Sequence, residues 1–227
     1  MKTRNLVLHV LFIVITAIQL YSSWSGNRTF EYIAKPLILV WITVYFLLNT
    51  HRESFRWLVI LAFFLSWIGD LILMFAWKND LFFFSGIGGF FLSQVTYIFA
   101  FRKYKLVPGR SLLNRKPLWL VMFVLILISI YWLIWPGLEG IMKPVVFIYA
   151  LSLVGMSIAA FNRYGRTDRR SFWITFSGSL LFMASDSLLA IFKFINDMPH
   201  GGFLVMVTYI AAQYLIMTGI AGEYKKN

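Results

Sequence analysis

FLSWIGDLILMF (residues 64–75) and SLLFMASDSLLAIF (residues 179–192) decide what kind of molecule this is. Each is an apolar run long enough, with its flanks, to cross a bilayer, and each carries a single acid, Asp70 or Asp186. A charged side chain at the centre of a membrane helix costs about 2.5–3.5 kcal/mol on insertion scales. Two such acids in one chain imply a use for them.

The rest of the sequence agrees with a membrane setting. Of its 227 residues, 60% are hydrophobic and 19% aromatic, and the mean hydropathy is +0.76. A soluble domain is about 45–50% apolar. The net charge of +12 does not point to nucleic acid. The basic residues fall in short loops between apolar runs, where the positive-inside rule puts them, and those loops leave no room for a soluble domain. There is no cysteine, hence no disulfide, thiolate nucleophile or thiolate metal site. His9, His51 and His200 are scattered, so no metal is expected, and nothing calls for a cofactor.

Eight spans are expected, over residues 6–24, 30–49, 55–76, 81–102, 118–135, 142–162, 172–194 and 201–221. Polar, Gly- or Pro-containing dividers such as SGNR, VPGRSLLNRKP and NRYGRTDRR separate them. The first span resembles a signal peptide, but its apolar run is as long as a full span, so a retained helix is expected. With the N-terminus inside, sixteen of the 21 Lys and Arg fall on the cytoplasmic side. Only Arg28, Lys35, Lys78, Lys143 and Lys193 fall outside. Both termini are therefore expected in the cytoplasm. The fold class is an all-α, multi-pass membrane protein forming one transmembrane domain, in the inner membrane if the cell is bacterial.

The chain also reads as a duplication. Glu31-Tyr-Ile-Ala-Lys35-Pro36 matches Glu139-Gly-Ile-Met-Lys143-Pro144. Gly69-Asp70-Leu matches Ser185-Asp186-Ser, and each is followed by an Asn-Asp pair, Asn79-Asp80 and Asn196-Asp197. GGFFLSQVTYI from Gly88 matches GGFLVMVTYI from Gly201 with one residue deleted. The order is the same in both halves, about residues 1–107 and 108–227. An even number of helices per half gives both the same topology, a parallel four-plus-four repeat.

The duplication puts the two acids in one layer. Asp70 lies 15 residues after Phe55, and Asp186 lies 14 after Phe172. At 1.5 Å per residue both are ~21–22 Å from the cytoplasmic boundary of a ~30 Å core. Lys35 and Lys143 are expected in the first turns of their helices, since Pro36 and Pro144 fit there. Two acids and two lysines would then line one polar cavity in the outer half of the membrane, with access from the outer leaflet. Ser185 beside Asp186, and Ser66 and Gly69 on the face of Asp70, allow close packing and supply donors.

Such acids can hold a bundle together by pairing with lysine, form an ion relay, or act as an acid/base pair. Two carboxylates in one low-dielectric cavity do not readily ionise together, so one stays protonated as an acid while the other is a base. That arrangement suits a reaction with an oxocarbenium-like species and an activated water. Gln94 and Tyr97 on the fourth span, and Tyr209 and Gln213 on the eighth, are weaker candidates for the same cavity. Tyr97 and Tyr209 gain weight as repeat equivalents. Tyr149 and Asn162 read as packing and helix-end residues.

These pieces resemble the lysoplasmalogenase (YhhN-like) family of integral membrane proteins. The resemblance is carried by Lys35-Pro36, Gly69-Asp70-Leu-Ile-Leu-Met, the Gly-rich opening of the fourth span ending in Tyr97, and Leu-Leu-Phe-Met-Ala-Ser185-Asp186-Ser-Leu-Leu-Ala. It implies hydrolysis of the vinyl ether bond of a lysophospholipid substrate, a lysoplasmalogen, to a fatty aldehyde and a glycerophospho-alcohol. Asp70 and Asp186 would share the acid and base roles, unassigned between them. Lys35 and Lys143 would bind the headgroup phosphate or tune the acids. The family often has His three residues before the Tyr of the fourth span, and Gln94 stands there. An amide cannot relay a proton, which leaves a hydrogen-bonding role. A proton-coupled transporter of a lipid-like or small solute is the rival reading, because duplicated bundles with midmembrane acids also serve transport.

Overall fold

The computed structural model describes residues 2–50, 56–103, 112–196 and 199–223. The inner-loop cations Arg52, Lys105, Arg110, Lys225 and Lys226, and Asp197 of the second Asn-Asp pair, lie outside the described residues. Among the described residues every regular element is helical. They are α1 (Lys2–Ser25), α2 (Arg28–Asn49), α3 (Arg56–Leu73), α4 (Asp80–Lys103), a short α5 (Leu112–Arg115), α6 (Trp119–Ile134), α7 (Met142–Phe161), α8 (Arg169–Phe194) and α9 (Gly201–Glu223). All but α5 are long and apolar enough to cross a membrane, α6 together with the 3-10 turn Trp135–Gly137 that continues it.

The bundle is apolar on its outside as well as inside. Leu6, Val10 and Ile13 of α1, and Val124, Leu125 and Ile128 of α6, all point outward with much of their surface exposed. In water that surface would drive aggregation, whereas in a bilayer it is solvated by lipid tails. Helix association must then come from close packing and interhelical hydrogen bonds. The tightest pairs use glycine. A Cβ added at Gly89 of α4 would lie 3.0 Å from the Cα and N of Gly69 on α3. A Cβ at Gly178 of α8 would lie 2.9 Å from the Ile216 nitrogen on α9. α3 packs most extensively on α4, and α8 on α9.

Two helix starts differ from the sequence expectation, for one physical reason. Asn27 and Asp168 cap α2 and α8, their side chains accepting from Thr29 and Phe30 nitrogens and from Arg170 and Ser171 nitrogens. These caps satisfy otherwise unpartnered N–H groups and begin the helices earlier. Pro36 is consequently inside α2, two turns from its start, and not in the first turn. Lys35 is seven residues, or ~10 Å, into its helix. Lys143 is the second residue of α7. The two lysines therefore enter to different depths. At the other end, α3 stops at Leu73 and continues as turns through Lys78, short of the expected span end at residue 76.

A buried ion pair ties three helix ends together. Arg163, 1% exposed after the end of α7, donates to Glu223 Oε2 of α9 at 2.7 Å and to Ser171 Oγ of α8 at 3.2 Å. Ser171 Oγ donates in turn to Glu223 Oε2 at 3.2 Å. The opposite face, where α1, α3 and α8 end and α2, α4 and α9 begin, carries the mouth of the cavity described next.

Candidate active site

Asp70 on α3 and Asp186 on α8 line one cavity of about 420 Å³. They are 2% and 7% exposed. Apolar walls come from Leu73, Phe90, Leu189 and Met206, and Glu31, Lys193 and the buried Lys35 add charge. Ser22 and Ser23 of α1 and Ser185 of α8 complete the polar lining.

Each acid is held through one oxygen. Tyr209 donates its hydroxyl to Asp70 Oδ2 at 2.7 Å. Tyr149 donates to Asp186 Oδ2 at 2.5 Å, and Gln94 Nε2 donates to the same oxygen at 2.9 Å. Neither Oδ1 has a protein hydrogen-bond partner among the described residues. Both belong to side chains that line the cavity, so each carboxyl is fixed by one oxygen and offers the other.

The donors are themselves oriented. Ser152 Oγ donates to Gln94 Oε1 at 2.5 Å, which fixes the Gln94 amide with its NH₂ toward Asp186. Tyr97 donates to Gln213 Oε1 at 2.6 Å. Gln213 Nε2 then donates to Ser66 Oγ at 3.1 Å and to the Tyr209 oxygen at 3.4 Å. Ser66 and Ser93 hydroxyls are 2.7 Å apart, and Ser93 Oγ donates to the Ala62 carbonyl at 2.8 Å, so Ser66 donates to Ser93. One connected network thus runs behind Asp70 and another behind Asp186. Buried polar groups satisfied in this way hold a single geometry.

Most of the residues singled out in the sequence come together here. Asp70, Asp186, Lys35, Tyr209 and Ser185 line the cavity, with Ser185 Oγ also donating to the Val205 carbonyl of α9 at 3.0 Å. Gln94 and Gln213 stand one layer behind, bonded to Asp186 and to Tyr209, and Tyr97 stands a further layer back, bonded to Gln213. Lys143 does not line the cavity. Its ammonium sits 4.3 Å from the centre of the Trp135 ring, because α7 begins only one residue before it. The second lysine of the cavity is instead Lys193, paired with Asp80 at 2.7 Å, as Lys35 is paired with Glu31 at 3.4 Å. Tyr149 is no mere packing residue, since it binds Asp186 directly. Among the described residues no group of three or more His, Cys, Asp or Glu comes together as a metal site.

The model of the YhhN family matches residues 30–220, which include both acids and all their hydrogen-bond donors. The chain belongs to the YhhN family. It is 30% identical over 193 residues to a Bos taurus protein named lysoplasmalogenase TMEM86A, covering 80% of this chain and 73% of that one. A Sus scrofa protein named lysoplasmalogenase TMEM86B is 30% identical over 160 residues, 70% of this chain and 62% of that one. The Homo sapiens lysoplasmalogenase TMEM86A is 29% identical over 190 residues, 80% of this chain and 73% of that one. No solved structure matches.

Proposed function

We propose that this YhhN-family member is a membrane-embedded hydrolase that cleaves the vinyl ether bond of lysoplasmalogens. The products are a fatty aldehyde and glycerophospho-ethanolamine or -choline. The observation that carries the reading is the pair of buried acids on one cavity, each held by one oxygen and presenting the other. The names of its relatives supply the substrate class.

The chemistry needs those two groups and one water. The protonated carboxyl gives its proton to the outer vinyl carbon, the double-bond electrons form the new carbon–hydrogen bond, and the ether carbon is left as an oxocarbenium ion sharing a lone pair of the ether oxygen. The ionised carboxylate stabilises that cation and takes a proton from the water that adds to it. The hemiacetal then collapses. Its hydroxyl proton passes to the first carboxylate, the carbon–oxygen bond to glycerol breaks, and the glycerol oxygen takes the proton that the second carboxyl collected from water, which restores both groups. Asp70 and Asp186 are interchangeable in this scheme. Tyr209 for the first, and Tyr149 with Gln94 for the second, position the carboxyls without donating to the reacting atoms. Lys35 and Lys193 suit the headgroup phosphate, which would enter from the outer leaflet if the basic loops are cytoplasmic.

The helix contacts support the reading of a duplicated chain with a shared site. The neighbour contacts α1–α2, α2–α3 and α3–α4 have counterparts in α6–α7, α7–α8 and α8–α9, and α4–α7 has its counterpart in α9–α2. We read these pairs as those a parallel four-plus-four repeat would produce, while the α1–α9 and α6–α8 contacts depart from it.

The test is aldehyde release from an alkenyl lysophospholipid by purified protein, alongside Asp70→Asn and Asp186→Asn. Turnover by wild type and its loss in both variants is expected. Well-folded wild type that returns the substrate intact would contradict hydrolysis and favour the transport reading.

A further inference from the structure

A second, smaller cavity meets the first at Asp186. Its volume is about 40 Å³, and it lies between α4, α7 and α8. Phe83, Asp186 and Leu189 line both cavities, so the two adjoin at the acid. Beyond that junction the lining is Phe84, Ile87, Val145, Val146, Ala190 and Phe194, with Tyr149. Its polar groups, the Tyr149 hydroxyl and the Asp186 carboxylate, are bonded to each other at 2.5 Å. Val145 at its far end is 41% exposed, beside the outward-facing Phe147 and Ile148. The slot therefore runs from the acid to the hydrocarbon flank of the bundle.

The geometry points to this slot as the binding site for the single hydrocarbon chain of a lysolipid. Three observations select that occupant. The slot is almost wholly apolar, whereas the adjoining cavity adds charged and hydroxyl groups to its apolar walls, among them Lys35 and Lys193 for an anionic headgroup. An amphiphile spanning both cavities has its head-to-chain junction at Asp186, which is where the vinyl ether bond lies. The volume is about three times the ~10–15 Å³ a single water requires, enough for one file of methylenes and too little for two chains side by side. The slot would thus place the reacting bond and select one-chain lipids, leaving the remainder of the chain in the bilayer. The headgroup and the placing of the vinyl ether bond at Asp186 rest on the hydrolase reading, whereas the chain's place in the slot rests on the slot's apolar lining and volume.

The experiment is photocrosslinking in nanodiscs with a non-cleavable alkyl-ether lysophospholipid bearing a diazirine partway along its chain. Labelled peptides are mapped by mass spectrometry for wild type, Ala190→Phe and Val145→Trp. The first variant fills the slot from within. The second blocks its mouth from the exposed flank and does not enter the core, so it decides the matter if Ala190→Phe fails to fold. Label on Ile87, Val145 and Val146 is expected in wild type, falling about tenfold or more in either plugged variant, as overpacking of a tight site implies. Label on the walls of the larger cavity, such as Phe90 or Met206, or unchanged slot labelling in the variants, would overturn the assignment. Aldehyde release on the same wild-type preparation tests hydrolysis separately. A labelled slot without turnover would sink the enzyme reading and leave the chain site standing.

Discussion

Asp70 and Asp186 each spend one oxygen on the protein and keep one for the cavity, and predictions for single residues follow from that division. Replacing either acid with Asn keeps the shape and the hydrogen bonds but removes the proton exchange. Because a positioned acid or base contributes ~10²–10⁴-fold, kcat should fall by at least about a hundredfold with the fold retained, as measured by aldehyde release and thermal unfolding. Tyr209→Phe removes the one side-chain hydrogen bond that holds the Asp70 carboxyl. Its kcat should drop about tenfold or more with little change in KM. Lys193→Met should raise KM for lysophospholipid several-fold, and Lys143→Met should leave it unchanged. A KM effect confined to Lys143 would reverse that assignment. The acids were legible in the sequence because a carboxylate in hydrocarbon is too costly to be incidental. Tyr149 and Lys193 were not. A tyrosine in a span usually packs or anchors, and a lysine at a span end usually marks topology, so only the folded geometry distinguishes them.

At the scale of helices, the eight spans were legible from length and hydropathy, and their ends fell within a few residues of those expected. The miss that mattered was at α2. Pro36 suggested a helix start, but Asn27, nine residues earlier, caps the helix and carries Lys35 inward. A capping side chain in the loop outweighs a proline that the helix can accommodate two turns in. Trp67 Nε1 of α3 donates to the Pro36 carbonyl at 3.0 Å, tying this segment to the neighbouring helix. Loss of the cap should shift Lys35 relative to the acids, so Asn27→Ala should raise KM as well as lower stability by about 1 kcal/mol. The glycine seam between α3 and α4 gives a second test. Gly89→Leu puts a side chain where Gly69 backbone atoms stand 3.0 Å away. The helices must part there, moving Asp70 and Gln94 together, so both the melting temperature and turnover should fall. A variant with wild-type activity would show that the close approach is not needed.

Across the whole molecule, each acid is bonded by the other half of the chain. Asp70 of α3 takes its hydrogen bond from Tyr209 of α9, and Asp186 of α8 takes one from Gln94 of α4. Neither half can complete the site alone. Expressed separately, fragments split between Lys103 and Leu112 should be inactive, and co-expressed they should recover turnover. The proposed repeat rests on the order of short matching segments. Its asymmetry was not legible there, because Lys143 and Lys35 match in sequence while α7 and α2 begin at different distances from them. The orientation proposed from the basic loops is open to a clean test, since the chain has no cysteine. A single cysteine at Gly26 should react with an impermeant thiol reagent from outside the cell, and one at Arg166 should not. The most direct measurement remains mass spectrometry of an alkenyl lysophospholipid incubated with purified wild type, Asp70→Asn and Asp186→Asn. The account predicts fatty aldehyde from wild type and essentially none from either variant. Substrate returned intact by folded wild type, or near-normal release by either variant, would contradict it.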